Sequence, residues 1–107
     1  MKDKCLSGVT VDATANVYFD GRCISHSLRM GDGTRKSVGV VLPSRLSFGT
    51  GAAERMECVG GSCRVLLPGE GAWRQVSAGE SFEVPADARF EIEVVGDPFH
   101  YICHYLD

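Results

Sequence analysis

Glu54 heads a short segment, Glu54-Arg55-Met56-Glu57-Cys58, whose alternate positions place its carboxylate on one face with Met56 and Cys58. A carboxylate on such a face can accept hydrogen bonds from hydroxyls or stabilise positive charge developing on a bound group. It can equally form a salt bridge at the rim with Arg55 or Arg45. Tyr101, Cys103 and Tyr105 share a face of a second extended segment by their period of two. Two tyrosines around a small thiol can hold a planar ring and donate hydrogen bonds, or fill a core with hydroxyls at the rim. His100 and His104 lie on the opposite face, so inward tyrosines mean outward histidines. Ser37 and Thr50 offer hydroxyls to an anion or to neighbouring backbone. Phe48 and Phe90 can stack on a ligand or fill a core, and Trp73, the single tryptophan, is read as packing. Eight arginines lie between Arg22 and Arg89, and sequence alone does not choose which of them meets an anion.

These side chains need a scaffold, and turn chemistry outlines it. Gly31-Asp32-Gly33, Pro43, Gly51, Pro68-Gly69, Ala78-Gly79, Pro85 and Gly96-Asp97-Pro98 cut the chain into short pieces. The segments predicted as strands are 23–30, 35–42, 45–50, 54–59, 63–67, 73–76, 82–84, 88–95 and 99–106. Gly60-Gly61 reads as a two-residue hairpin turn, since both positions tolerate positive φ. Phe90, Ile92 and Val94 alternate with Arg89, Glu91 and Glu93, as expected for a strand with one buried face. No apolar periodicity of 3.6 is sustained, so no substantial helix is expected. The fold class is therefore all-β, one domain built as a sandwich, barrel or jelly roll. Residues 1–16 form an N-terminal extension that can add an edge strand, and residues 17–107 form the domain.

Composition narrows the function. The chain has 107 residues, 44% of them hydrophobic, and a net charge of −3, which argues against a nucleic-acid partner. No apolar run approaches the roughly 20 residues that span a bilayer. No apolar h-region of about 7–15 residues follows Met1-Lys2-Asp3-Lys4, so the expected setting is the cytoplasm, with no membrane partner. The five cysteines are odd in number and scattered, with no C-x-x-C pair, and read as reduced and mostly buried. Cys58–Cys63 pairing across the Gly-Gly turn is the lesser alternative. Neither a phosphate-binding Gly-Lys loop, nor Gly-x-Gly-x-x-Gly, nor a Gly-x-Ser-x-Gly elbow is present.

Two stretches resemble the paired motifs of the cupin superfamily, which implies a single-domain cupin-type jelly-roll β-barrel. One runs from Glu54 through six residues to Gly61; the other from Gly79 through five residues to Pro85, with Asp87 where the pattern usually has Gly. Phe90 falls where a cupin carries its third metal-binding histidine, and the two histidines that should precede Glu54 are missing. His26, His100 and His104 all lie outside both motifs, so no metal is expected.

The resemblance narrows to one small family. Tyr18-Phe19-x-Gly21, Ser37-Val38-Gly39-Val40, Phe48-x-Thr50, Glu54-x-Met56, Gly61 and Val65-Leu66-Leu67-Pro68 occur in order. Trp73, Ala78-Gly79, Phe82-x-Val84-Pro85, Phe90 and Tyr101-x-Cys103-x-Tyr105-Leu106 follow. Together these resemble the pyrimidine/purine nucleoside phosphorylases, a family of small cupin-like proteins. The resemblance implies phosphorolysis of purine and pyrimidine nucleosides to free base and ribose 1-phosphate. Inorganic phosphate is then a co-substrate, no organic cofactor is required, and a homodimer is expected. Glu54 becomes the candidate catalytic residue, with Tyr101, Tyr105, Phe48, Phe90, Met56, Ser37 and Thr50 as candidate substrate contacts. His104 departs from the family, which is expected to carry arginine there. A non-catalytic cupin that binds a small molecule as a sensor is the alternative.

Overall fold

Turns fall where the glycines and prolines place them. The computed structural model describes residues 4–106. Its strands are β1 (Val9–Val11), β2 (Asn16–Tyr18), β3 (Cys23–Met30), β4 (Arg35–Val41), β5 (Ser44–Gly49) and β6 (Glu54–Gly60). They continue as β7 (Ser62–Leu66), β8 (Arg74–Ser77), β9 (Ser81–Val84), β10 (Arg89–Val94) and β11 (Phe99–Tyr105). A 3-10 turn, Phe19–Gly21, follows β2. No helix among the described residues is long and apolar enough to cross a membrane.

The strands form two sheets. The larger has seven strands in the order β1-β3-β4-β11-β6-β9, with β2 also on β3, and the smaller has the order β5-β10-β7-β8. β1 and β2 share one edge of β3, since β1 pairs with its end and β2 with its beginning. The extension therefore does add an edge strand, while Asn16, expected in a loop, opens β2. The hydrogen-bond ladders do not run on from one sheet into the other, so the closed barrel expected from the sequence is seen as two facing sheets.

Alternation assigns the faces. Phe90, Ile92 and Val94 are buried as expected, and they meet Met56, Cys58, Phe82, Phe99, Tyr101 and Cys103 from the larger sheet in one core. All of the cysteines are free of disulfides, and only Cys5 is exposed. Cys58 and Cys63 are thus buried thiols, as the main reading expected.

One turn needs correction. Gly60-Gly61 is not a hairpin: β6 pairs with β11 and β9, whereas β7 pairs with β10 and β8. The dipeptide carries the chain from one sheet to the other. Gly61 takes φ +68, and a Cβ there would lie 2.1 Å from the Pro98 carbonyl oxygen. Pro98 belongs to the β10–β11 link, which also changes sheets. The glycine is needed because two sheet-to-sheet crossings pack against each other.

Candidate active site

A cavity of about 130 Å³ lies between the sheets. Register across the larger sheet explains its chemistry. One row of paired positions runs Ser25, Gly39, Tyr101, Cys58 across β3, β4, β11 and β6. The next runs Ser27, Ser37, Cys103, Met56. Beyond it, Arg29 pairs with Arg35 and Tyr105 pairs with Glu54. The inner face therefore becomes more polar from row to row.

Seven of the eight candidate residues line this cavity: Glu54, Tyr101, Tyr105, Phe48, Phe90, Met56 and Ser37. Tyr18, Ser25 and Cys103 join them. Thr50 does not. Its hydroxyl donates to the Pro85 carbonyl at 2.6 Å and accepts the Ala88 N–H at 3.0 Å, so it holds the corner between β5 and β10.

Phe48 and Phe90 are cross-strand partners and stack at 5.7 Å and 23°, forming one aromatic wall. The ring of Phe19 meets Phe48 edge-on at 5.3 Å, and Tyr18 does so at 6.4 Å. Both Phe19 and Asp20 have φ above +50°, a conformation uncommon for residues with side chains. The turn after β2 thus brings aromatic rings from the edge of the larger sheet onto Phe48 of β5, an edge strand of the smaller one.

Opposite this wall is a chain of polar groups. Ser37, buried, lies 3.3 Å from the Tyr105 hydroxyl. Both hydroxyls are directed at the Cys103 thiol, which in turn donates to Glu54. Burial pushes Cys103 up to about 12, helped by the neighbouring Glu54 charge, and burial pushes Tyr105 up to about 12. Burial also raises Glu54, against the lowering effect of the Cys103 hydrogen bond. Thiol and phenol accordingly stay protonated near neutrality, leaving Glu54 as the group here that titrates in the acid range. The alternative salt bridges for Glu54 are not formed: Arg45 pairs with Glu91, and Arg55 lies on the other face of β6.

Tyr101 plays a narrower part than two matched tyrosines would suggest. Its hydroxyl sits 3.6 Å from Cys23 Sγ over Gly39, so the ring forms the floor while the hydroxyl is held in the core. The histidines point away, as the tyrosine assignment required. His100 is exposed, and His104 lies on the outer face with Nε2 2.9 Å from Glu57 and Nδ1 2.6 Å from Lys36. The departure at His104 therefore does not touch the cavity.

Cupin barrels commonly hold a metal, and these residues do not fit one. Met56, Ser37 and Phe90 occupy the cavity around Glu54, and no three His, Cys, Asp or Glu side chains converge among the described residues. Sequence reasoning left out Ser25 and Tyr18 as cavity residues; the pairing of Ser25 with Gly39 is visible only once strand register is known.

A family model described as pyrimidine/purine nucleoside phosphorylase matches residues 13–105. A pyrimidine/purine nucleoside phosphorylase of Azoarcus sp. strain BH72 is 63% identical over 100 residues, 94% of each chain. A crystal structure of a protein of unknown function from Acinetobacter sp. ADP1 is similar at TM-score 0.91 and 42% identity, covering 94% of this chain and 97% of that one. An oxalate decarboxylase of Bacillus subtilis shares the fold alone, at TM-score 0.65 and 16% identity over 85% of this chain and 27% of that one. The architecture is thus all-β and cupin-like, and the chain belongs to the pyrimidine/purine nucleoside phosphorylase family.

Proposed function

We propose that the protein catalyses phosphorolysis of purine and pyrimidine nucleosides, giving free base and alpha-D-ribose 1-phosphate, as a pentosyltransferase on a cupin-type jelly roll. A phosphate oxygen forms a bond to C1′ as the C1′–N glycosidic bond breaks. The bonding pair leaves with the base nitrogen, which is protonated from solvent. Positive charge develops on the sugar between these events. Glu54 is the carboxylate that stabilises this charge and holds the ribose hydroxyls. Tyr105 and Ser37 donate hydrogen bonds, Tyr101 and Met56 line the floor, and Phe48 with Phe90 gives the base a flat surface. Stacking accepts purine and pyrimidine alike, because each has a π-face.

One observation carries this reading: a half-buried carboxylate faces an aromatic wall across a cavity with neutral hydroxyl and thiol donors. The donor set supports chemistry without metal or organic cofactor. The cytoplasm suits a protein with four buried thiols. A homodimer is supported by the unpaired edges of β5, β8 and β9.

The test mixes protein with inosine or uridine, with and without inorganic phosphate, in EDTA. Phosphate-dependent release of base that survives the chelator is the expected outcome. Binding without turnover would replace the enzyme by a sensor, and loss of activity in EDTA would restore a metal. Glu54→Gln is expected to lower turnover about 100-fold.

A further inference from the structure

We propose that Tyr18 and Phe19 complete the base site as a side wall at the mouth of the cavity, and that this wall sets the balance between purine and pyrimidine nucleosides. The proposal rests on nucleosides being the substrates and says which residues feel the size of the base.

The enclosed space is too small for a whole nucleoside. Its volume of about 130 Å³ falls below the roughly 300–1,000 Å³ of pockets that bury a small ligand. Part of the substrate therefore lies outside it, and the lining residues show on which side. Most of them are buried or half-buried, whereas Tyr18 and Gly49 are exposed. The cavity thus opens between β2 and the end of β5, where the rings of Tyr18 and Phe19 both meet Phe48.

Orientation decides what these rings can do. They stand at 79° and 84° to the plane of Phe48. A base stacked on the wall of Phe48 and Phe90 lies parallel to Phe48, so it turns its edge toward both rings. Edge-to-face contact is a favoured aromatic arrangement. A two-ring purine extends further along the wall than a one-ring pyrimidine and gains more of that contact.

A second observation comes from the backbone. Phe19 and Asp20 have φ of 53° and 55°, a left-handed conformation that costs residues with a Cβ. Such strain persists where partners fix it, and it is concentrated at ligand sites. Arg22 is the partner here: its backbone N–H and its Nε–H donate to the Phe19 carbonyl at 3.2 and 3.0 Å. The Leu42 N–H donates to the Arg22 carbonyl at 2.8 Å, which ties the turn to the β4–β5 link. Yet Tyr18 stays 45% exposed and Phe19 39% exposed, so burial within the chain does little to offset the strain. A ligand resting against the two rings supplies the missing contact.

The test compares inosine with uridine on the full chain, by steady-state kinetics and by equilibrium binding. Phe19→Gly removes one ring and suits the left-handed φ, so it is expected to melt within a few degrees of wild type. Its kcat/KM should fall about tenfold for inosine and no more than about threefold for uridine. Tyr18→Leu should move the ratio in the same direction. Val17→Ala, on the opposite face of β2, should match wild type. An unchanged ratio in Phe19→Gly, where wild type turns over both nucleosides, overturns the side wall and leaves phosphorolysis standing. An equal change of ratio in Val17→Ala also overturns it, because loosening of the sheet edge would then be the cause. If wild type binds both nucleosides and cleaves neither, a selective loss of inosine binding in Phe19→Gly supports the side wall and overturns phosphorolysis. Absence of both binding and cleavage overturns the two together. If Phe19→Gly does not fold, Phe19→Asn, which tolerates the same φ, carries the same readouts.

Discussion

Tyr101 can lie across β4 only because its cross-strand partner is Gly39. A Cβ there would sit 2.6 Å from the tyrosine hydroxyl and 2.8 Å from the Ile24 carbonyl oxygen. Gly39→Ala is expected to destabilise the fold by about 1–3 kcal/mol. Combining it with Tyr101→Leu should cost less than the sum, because the second change removes the contact with the tyrosine hydroxyl and leaves only that with the Ile24 carbonyl; additive losses in denaturant melts would reject this account. Glu54 carries a different cost, since burial opposes its charge. Its raised folded pKa means that the folded state holds this proton to a higher pH than the unfolded chain does. The stability it contributes is complete below the unfolded pKa and is lost as pH rises through the folded one. If the carboxylate is the active form, kcat/KM falls as pH drops through the same raised value. Glu54→Gln should therefore abolish the acid limb and melt higher than wild type at neutral pH, with the difference closing in acid. Equal melting temperatures at neutral pH would show that the carboxylate carries no such cost.

Between one strand and the next, local signals did most of the work. Gly33 takes φ +89 in the β3–β4 hairpin, where Asp32 also accepts the Thr34 N–H at 2.9 Å, and that strand boundary is readable from sequence. Gly60-Gly61 carries the same local preference yet changes sheets, because what decides it is the packing of Pro98, distant in sequence. Thr50 was ambiguous for a similar reason: a strand-end hydroxyl can face a ligand or tie down a turn, and the Pro85 and Ala88 partners appear only in the fold. Thr50→Val leaves the Ala88 N–H without this acceptor and is expected to cost about 1–2 kcal/mol. The KM for nucleoside should stay within about twofold of wild type. A variant of normal stability with a large rise in KM would return Thr50 to the site.

Across the whole molecule, the readable part of the site is the part fixed by alternation. Period two put Glu54 with Met56 and Tyr105 with Cys103, and both pairs line the cavity. Which of the eight arginines share a sheet face with the cavity depends on pairing between strands far apart in sequence, which no local pattern encodes. The cysteines show how these scales connect. Cys23, Cys58, Cys63 and Cys103 are all buried and all have raised pKa values, with burial the leading cause in each. Since the thiolate is the reactive form, each is protected twice, by the sheets and by its ionisation. Only Cys5, outside the two facing sheets, is exposed. A thiol reagent at neutral pH should therefore modify one cysteine rapidly in the native protein and all five in denaturant. Cys103 is the next to react, because it alone among the buried thiols lines the cavity, and saturating nucleoside with sulfate should slow it. Rapid modification of Cys58 or Cys63 in the native state, read by peptide mass, would mean that the sheets separate at that corner far more readily than their packed core allows.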